Sequence, residues 1–391
     1  MTETAGGASM DGTPVESDHA KCPSCGAEMA YSPESGKLVC PYCGHEEDAG
    51  ARGGAVASHD YDGAEQTPPP GGEGVLIHCD NCGANIAAES STAAQLCPFC
   101  GSPMSVRAQG GFEQPDAVLP FRVDREKALA CFQSWVRSRF FSPGKLRTMA
   151  RMEQLGGVYL PHFLFDCRTA SPYTAQAGTH YYVTEWVTVE RDGRQVQEER
   201  QVQRTRWEFV SGEYDTAFYN RVVNASKNVD RKLMRLHFDF TRLLPYAKDY
   251  LYGFLAENCS ISRADCWEQA KREITEALST EIRDSIRADE VADLSFTTRY
   301  SGVRYKLALL PVWISAYRYR GKTYKFIING DTGETRGQAP LSAARILLSI
   351  LLTLGVPAGI YQLNRTAGVA AFVAAVIVLL ILASRKPKPL R

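Results

Sequence analysis

Neither sign of charge prevails in this chain, and its N-terminus lacks a long apolar run. The 391 residues include 44 Lys and Arg against 44 Asp and Glu, so the formal net charge is zero. Such a chain has no overall positive field to attract nucleic acid. Residues 1–20 are acidic and polar, without the apolar core of a secretory signal peptide. Secretion is therefore disfavoured, and with it a framework of disulfides.

The common catalytic signatures are also missing. The sequence contains no G-x-S-x-G, P-loop, H-E-x-x-H or dinucleotide-binding fingerprint. His162, His180 and His237 are isolated along the chain, which favours structural or surface roles for them. We therefore predict that the protein is not an enzyme, and we assign no catalytic residue.

Cysteine, in contrast, is concentrated near the N-terminus in two sets of four. Each set reads C-x2-C, then 14 residues, then C-x2-C, and the second repeats the first 57 residues later. The sets are Cys22, Cys25, Cys40 and Cys43, and Cys79, Cys82, Cys97 and Cys100. Four thiolates at this spacing can surround one tetrahedral zinc ion, and four protein ligands leave no open position for water. We predict two zinc ribbons, each with one structural zinc; disulfides are the alternative, which would suit a secreted chain.

A glycine follows the second cysteine of every C-x2-C knuckle. The four glycines are Gly26, Gly44, Gly83 and Gly101. A knuckle turns sharply so that backbone N–H groups face sulfur, and glycine permits the positive φ of such a turn. The other four cysteines are scattered through the rest of the chain, and we expect them to be small buried hydrophobic residues. They are Cys131, Cys167, Cys259 and Cys266.

The C-terminal end contains two uncharged apolar runs, 346–363 and 367–383, separated by a break at Asn364, Arg365 and Thr366. Each run is close to the roughly 20 residues that cross a bilayer, so we predict a transmembrane helical hairpin. A buried helical pair and a re-entrant hairpin are the alternatives. Basic residues flank the hairpin on its outer sides, whereas the turn holds only Arg365. The flanking residues are Arg336, Arg345, Arg385, Lys386, Lys388 and Arg391. The positive-inside rule then places both termini in the cytoplasm of a multi-pass membrane protein.

Between the cysteines and the hairpin the pattern mixes strands and helices. Asp124 can cap a helix that runs to about Arg139, and Ser262 with Asp265 resembles a capping box for a helix through Ala288. Residues 181–189 and 202–210 read as a hairpin around Asp192 and Gly193. Around Arg231, Lys232, Arg235 and Arg242, an amphipathic helix is favoured over a basic patch.

The predicted fold class is multidomain: two four-cysteine zinc ribbons, a central α+β domain and a C-terminal two-helix transmembrane hairpin. The expected boundaries are 1–20 for a disordered N-terminus, 21–48 for ribbon 1, 49–74 for a flexible linker that tethers the ribbons loosely, 75–105 for ribbon 2, 115–340 for the α+β domain, 344–384 for the hairpin and 385–391 for a basic cytoplasmic tail.

This order of parts resembles a family of bacterial membrane proteins that are described as TFIIB-type zinc-ribbon proteins or mislabelled as the primosomal helicase. Three segments carry the resemblance: 118–121 (VLPF), 156–166 (GGVYLPHFLFD) and 329–334 (NGDTGE). His162 stands where the family pattern has Trp. The resemblance implies a link with SPFH-domain scaffold proteins and the phage-shock envelope-stress system, in which a two-span zinc-ribbon protein helps recruit the scaffold to the membrane.

Together these features predict a non-enzymatic adaptor that recruits or organises a protein partner at the cytoplasmic face of a bacterial membrane. The alternative is a nucleic-acid-binding or transcription-related ribbon protein. Phosphate contacts supply much of the affinity of such proteins. Ribbon 1 has only Lys21 and Lys37 against five acidic residues, and no Lys or Arg lies between Cys79 and Cys100. A nucleic-acid partner is therefore disfavoured.

Overall fold

The computed structural model describes residues 20–50, 54–61, 75–88, 96–102, 104–106, 113–143, 155–191, 194–319 and 322–383. Residues 1–19, the predicted turn at Asp192 and Gly193, and the basic tail lie outside the described residues. The described chain contains two N-terminal cysteine tetrads, a sheet-rich central region and a C-terminal helical pair. These coarse features of the predicted fold are confirmed.

The strands form a small sheet and a large one. The small sheet has the order β1 (Ala30–Ser32), β2 (Lys37–Val39), β3 (Glu46–Asp48). The large sheet joins thirteen of the described strands: β4 (His59–Asp60), β5 (Val75–His78), β6 (Asn85–Ala88), β7 (Ser105–Val106), β8 (Ala117–Val118), β9 (Gly156–Arg191), β10 (Arg194–Asn224), β11 (Leu244–Pro245), β12 (Leu255–Glu257), β13 (Glu290–Phe296), β14 (Arg299–Tyr319), β15 (Lys322–Asn329) and β16 (Thr335–Gly337). Its longest path runs β11-β8-β14-β9-β12-β6-β5-β7.

Strand β9 is the spine of the large sheet. Its first half, from Gly156 to Ala170, pairs antiparallel with β14, and its residues from His162 to Arg191 pair antiparallel with β10. Successive side chains of a strand point to opposite faces. Tyr159 accordingly packs in one core cluster, whereas Val158 and Leu160 pack in another. Further along, Phe163 and Phe165 enter a third cluster. The predicted hairpin around residues 192 and 193 is therefore real, but its strands are much longer than the sequence pattern indicated.

Two helices cover the large sheet. Helix α1 (Arg125–Ser138) is capped by Asp124, whose carboxylate accepts the backbone N–H of Lys127 at 2.7 Å. The ring of Phe132 lies 4.0 Å from that of Phe326, centroid to centroid, and this contact fixes α1 on β15. Helix α2 (Arg263–Ser285) buries the stripe formed by Cys266, Trp267, Ala270, Ile274, Leu278 and Ile282. It ends at Ser285, three residues before the predicted end.

The amphipathic helix expected around residues 231–242 is absent from the described structure. Residues 225–243 form turns and extended segments, with one short 3-10 turn at Phe240–Arg242. Polar side chains accept hydrogen bonds from backbone N–H groups that would donate to carbonyl oxygens in a helix. The Asn224 side chain accepts from the N–H of Ser226, and the Asp230 side chain accepts from the N–H of Lys232. Such local bonds compete with helix formation, so this prediction was wrong.

The sequence suggested that the two cysteine modules are loosely tethered, but in the structure both pack against the rest of the protein. Module 1 (residues 21–48) lies against the body, where Tyr31 packs edge-on against Tyr250 with ring centroids 5.4 Å apart. Module 2 (the described residues of 75–106) adds its strands to the large sheet, because β6 pairs antiparallel with β12. Each module is too small to enclose its own apolar side chains, so those side chains are buried against the body instead.

Part of the predicted linker 49–74 is also ordered. The backbone N–H of Gly50 donates to the Asp249 carboxylate at 2.8 Å. Strand β4 then pairs with β14, and the ring of Tyr61 lies 5.6 Å from that of Trp267. Residues 51–53 and 62–74 lie outside the described residues. The flexible-linker prediction is therefore wrong for 54–61, where polar composition concealed a strand and a half-buried tyrosine.

Helices α3 (Ala343–Leu363) and α4 (Arg365–Ala383) form the C-terminal pair. Asn364 separates them and caps α4, since its side-chain oxygen accepts from the N–H groups of Thr366 and Ala367. Among the described residues, 343–362 is long and apolar enough to cross a membrane, whereas the apolar stretch found in α4, 365–377, is shorter. Within the described residues one apolar stretch therefore has the length of a membrane span, and the second span stays a prediction.

Candidate metal centres

Each cysteine tetrad brings its four Sγ atoms within 4.8 Å of one another. The Sγ atoms of Cys22 and Cys43 are 3.5 Å apart, as are those of Cys25 and Cys40. In the second tetrad, the matching Sγ pairs are 3.5 Å and 3.6 Å apart. Every distance is far longer than the roughly 2.05 Å of a disulfide bond. All eight cysteines are free, so the disulfide alternative is not realised in the structure.

The sulfur spacing fits a tetrahedral metal site. Zinc binds cysteine sulfur at about 2.3 Å, and tetrahedral geometry then places two sulfurs about 3.8 Å apart. Within the described residues, each tetrad is a group of metal-ligating side chains that could hold one ion. The structure brings together all eight cysteines that the sequence singled out, in the two sets of four that their spacing indicated.

The four knuckles share one backbone conformation. Gly26, Gly44, Gly83 and Gly101 all have positive φ, between 72° and 76°. In each knuckle the glycine N–H donates to the carbonyl oxygen of the first cysteine, over 2.8–2.9 Å. No heavy atom outside the neighbouring residues lies within 4 Å of a Cβ built on any of these glycines. The glycines are therefore required by backbone conformation and not by lack of space.

Backbone N–H groups also favour the ionised form of Cys40. The N–H of Cys43, and after it that of Tyr42, donates to the Cys40 sulfur and lowers the pKa of this thiol to about 6. Thiolates rather than thiols bind metal ions. At Cys40 the knuckle turn thus positions the sulfur and favours its charged form. Cys43 in the same tetrad differs: a backbone hydrogen bond from His45 lowers its pKa, but hydrogen bonds with the Cys22 and Cys25 side chains outweigh this and raise the pKa to about 12.

The same position in the two modules has opposite environments. Tyr42 follows Pro41 in the second knuckle of module 1 and is 84% exposed. Phe99 occupies the matching place in module 2 and is fully buried, in a cluster with Val158 and Val312. The second knuckle of module 2 therefore faces the sheet, whereas that of module 1 faces solvent. The sequence repeat contained no signal that could have distinguished these two aromatic positions.

The scattered cysteines and the isolated histidines have structural surroundings. Cys167 and Cys266 are buried, and burial raises the pKa of Cys167 to about 11. Cys131 and Cys259 are partly buried beside core clusters. His162 is buried too; desolvation lowers its pKa to about 4, and its Nδ1 lies 3.0 Å from the Leu160 carbonyl oxygen. His180 and His237 lie near the surface, paired with Glu290 and Glu334 respectively.

Sequence reasoning missed one buried acid, Glu257 at the end of β12. Its side chain is almost fully buried, and burial raises its pKa to about 7. One carboxylate oxygen accepts from the Asn228 amide at 2.6 Å, whereas Oε2 has no hydrogen-bond partner. Nothing in the local pattern of Leu255, Ala256 and Glu257 indicated this burial, because it depends on β6 and β9 flanking the strand.

Comparison with known proteins gives one informative match. The chain is similar along most of its length to a protein of Bacillus subtilis (strain 168). That protein, described as "Uncharacterized protein YdjG", is 24% identical over 333 residues, which cover 83% of this chain and 91% of its own. No family model and no solved structure matches the chain. The alignment is far longer than the two cysteine modules, so the similarity includes the central sheet.

Proposed function

We propose that this protein is a non-enzymatic, membrane-anchored adaptor that presents a protein-binding surface at the cytoplasmic face of a bacterial membrane. The observation that carries the proposal is the C-terminal helical pair, whose apolar side chains are turned outward. Leu347, Leu348 and Leu351 are each more than half exposed. A face of this kind is covered by lipid or by protein, because water is an unfavourable neighbour for it.

Both termini of the proposed adaptor are cytoplasmic, with α3 and α4 forming a hairpin in the bilayer. This proposal is supported by the basic residues Arg336 and Arg345 before the first helix and by the basic tail after the second. It also matches the reducing conditions that free cysteines require. Arg345 donates to the Phe140 carbonyl oxygen at 2.8 Å, so the start of α3 is attached to the body.

The cysteine tetrads hold two structural zinc ions in this proposal. Cys22, Cys25, Cys40 and Cys43 bind one, and Cys79, Cys82, Cys97 and Cys100 bind the other. Zinc joins the two knuckles of each module, which are separated by 14 residues in the sequence. With no open ligand position, the ions stabilise structure and supply no chemistry.

We assign the contact with a protein partner to module 1. Its second knuckle exposes Tyr42, and tyrosine is enriched at the energetically dominant positions of protein interfaces. The corresponding surface of module 2 is already buried against the sheet. The partner class that the family resemblance implies is an SPFH-domain scaffold or a phage-shock protein.

Membrane attachment is tested by fractionating cells that produce the full chain or a chain truncated after Pro340. We expect the full chain in the membrane fraction and resistant to alkaline carbonate, and the truncated chain in the soluble fraction. A truncated chain that stays in the membrane would show that the helical pair is not the anchor. Protease added outside intact cells should spare both cysteine modules; cleavage there would reverse the proposed orientation.

Partner capture is tested by affinity purification of the full chain from a mild-detergent extract treated with nuclease, followed by mass spectrometry. We expect specific proteins that remain after nuclease treatment and are lost with Tyr42→Ala. Tyr219→Ala is the matched control, because Tyr219 is also a strongly exposed tyrosine but belongs to β10. Proteins that disappear on nuclease treatment would favour the nucleic-acid alternative instead.

A further inference from the structure

The hairpin of β9 and β10 extends beyond the rest of the large sheet. Strand β13 pairs with β9 only as far as Gly178, opposite Glu290. Beyond that point residues 179–191 pair with 194–206, and no further described strand joins them. We call this two-stranded extension the arm. At about 3.3 Å per residue it is about 40 Å long.

The arm has one aromatic face. Tyr182 and Trp186 are four residues apart on β9 and therefore point to the same face of the arm. The register of the hairpin places Trp207 and Phe209 of β10 on that face too, at the base of the arm. Tyr182, Trp186 and Phe209 are each about two-thirds exposed, and Trp207 is 43% exposed. Isolated two-stranded hairpins are marginally stable in water, and this one also leaves large rings uncovered.

The opposite face of the arm is mixed: on β10 it bears Glu198, Arg200, Arg204 and Arg206, and across from them on β9 it bears Tyr181, Val183 and Val187 among other residues. The Arg204 guanidinium contacts the Glu185 carboxylate across the hairpin. The Arg206 guanidinium lies 5.4 Å from the centre of the Tyr181 ring. Charge on β10 is thus concentrated on one face of the arm, and a strand that joins this edge places its own side chains directly opposite these charges.

The outer edge of β10 is open along the arm. In the described chain β10 pairs with β9 alone, so its second row of N–H and C=O groups has no strand partner. Such an edge is a template for a further strand. Helix α2 packs near the far end of β10, where Tyr214 reaches Glu281, but this contact lies outside the arm.

We propose that this edge pairs antiparallel with the same edge of a second copy of the chain, about a two-fold axis at Gln201. Two arms then form a four-stranded sheet in the order β9-β10-β10-β9, with both aromatic faces on one side. Such pairing is isologous, so each contact occurs twice.

Charge selects the register. The aromatic faces of the two arms lie on the same side of the sheet only if the two-fold axis passes through a residue. An axis between two residues would shift the register by one residue and set side chains of one face opposite those of the other. With the axis at Gln201, Glu198 of one copy opposes Arg204 of the other, and Arg200 opposes Val202. Axes at 199 or 200 place Glu199 or Arg200 against itself, and axes at 202 or 203 place Arg200 against another arginine. Directly opposite like charges destabilise a sheet, so the Gln201 register is favoured among these five.

A symmetric cysteine tests this register in the full chain, reconstituted in lipid nanodiscs. Directly opposed Cβ atoms in a sheet are about 4.5–5.5 Å apart, close enough for a disulfide after a small adjustment. We expect Gln201→Cys to give a disulfide-linked dimer under glutathione oxidation. Gln203→Cys is the matched control, because its two copies would be four residues apart along the strand, about 13 Å. We expect at least tenfold less linked dimer from the control.

A charge reversal supplies a second readout. In the Gln201→Cys background, Glu198→Arg sets two arginines opposite each other twice, and we expect about threefold or greater loss of linked dimer. Asp215→Arg makes the same charge change on β10 beyond the paired length and should leave the dimer unchanged. Equal linkage at 201 and 203, no linkage at 201, capture of a different protein, or indifference to Glu198→Arg would each overturn the proposal. The outcome depends on neither bound metal nor the identity of the adaptor's partner.

Discussion

Two aromatic side chains in equivalent knuckles provide a controlled comparison at the scale of single residues. Phe99→Ala removes a fully buried ring and leaves a cavity, so we expect a loss of about 3–5 kcal/mol in the free energy of unfolding. Tyr42→Ala removes an exposed ring and should change that free energy by less than about 0.5 kcal/mol. Denaturant unfolding of the two variants measures both values, and similar losses would contradict the opposite orientation of the two knuckles.

Glu257 should make stability depend on pH. Burial raises its pKa from 4.5 to about 7, so between these values the folded chain holds a proton that the unfolded chain has released. Stability from this group is therefore present below about pH 4.5 and falls as pH rises towards 7, by about 3 kcal/mol in all. Glu257→Gln should remove this decline.

The measurement is the difference in unfolding free energy between wild type and Glu257→Gln from pH 5.5 to pH 8. Taking the difference cancels effects that both proteins share, such as protonation of the cysteine tetrads. Glu276→Gln on the exposed side of α2 is the control and should follow wild type. A Glu257→Gln curve parallel to wild type would show that Glu257 is ionised in the folded state.

At the scale of elements, the start of α2 depends on one hydroxyl. The Ser262 oxygen accepts the backbone N–H of Asp265 at 3.1 Å, and its hydroxyl donates to the Asp265 carboxylate at 2.8 Å. We expect Ser262→Ala to destabilise the fold by about 1 kcal/mol, and Ser262→Asn to recover most of the loss. Thermal unfolding of the two variants provides the comparison; equal midpoints for alanine and asparagine would mean that the cap does not contribute.

Helix starts that depend on neighbouring residues were predictable from the sequence, whereas strand lengths that depend on distant partner strands were not. Asp124 and Ser262 mark helix starts in the sequence because capping depends on residues three positions away. The length of β9 could not be predicted from the sequence, because the strand continues only where β10 and β14 pair with it. The segment after Asn224 read as a helix because apolar periodicity does not reveal the side-chain bonds that capture backbone N–H groups.

For the candidate metal centres, the sequence indicated the ligands but not their setting. Spacing alone brought eight cysteines into two correct sets, because each knuckle is a local turn whose geometry four residues determine. The contacts of the modules with the body join residues far apart in sequence, such as Tyr31 with Tyr250 and Phe99 with Val158. Composition suggested independent ribbons because it cannot show which apolar side chains find partners elsewhere.

At the scale of the whole molecule, loss of either metal should have unequal consequences. Cys22→Ser and Cys79→Ser should each remove one bound ion, which metal analysis of the purified protein measures. Module 2 shares backbone hydrogen bonds with the large sheet, whereas module 1 has its own three-stranded sheet. We therefore expect Cys79→Ser to lower the unfolding midpoint more and to speed hydrogen exchange in β12.

The control for that pair is Cys131→Ser, which alters a cysteine outside both tetrads and should retain both ions. Loss of both ions from either single variant would contradict two separate centres. A larger effect of Cys22→Ser on the large sheet would contradict the assignment of module 2 to that sheet.

The pairing of β6 with β12 has a consequence for biogenesis. The two strands are about 170 residues apart, so at roughly 5–20 residues per second the ribosome makes β6 about 10–30 s before β12. During that interval the open edge of module 2 needs protection from aggregation. The last strand of the large sheet, β16, emerges shortly before α3. If the helical pair enters a membrane as proposed, completion of the large sheet and delivery of that pair would then coincide, and a delay in either would expose apolar surface on the other.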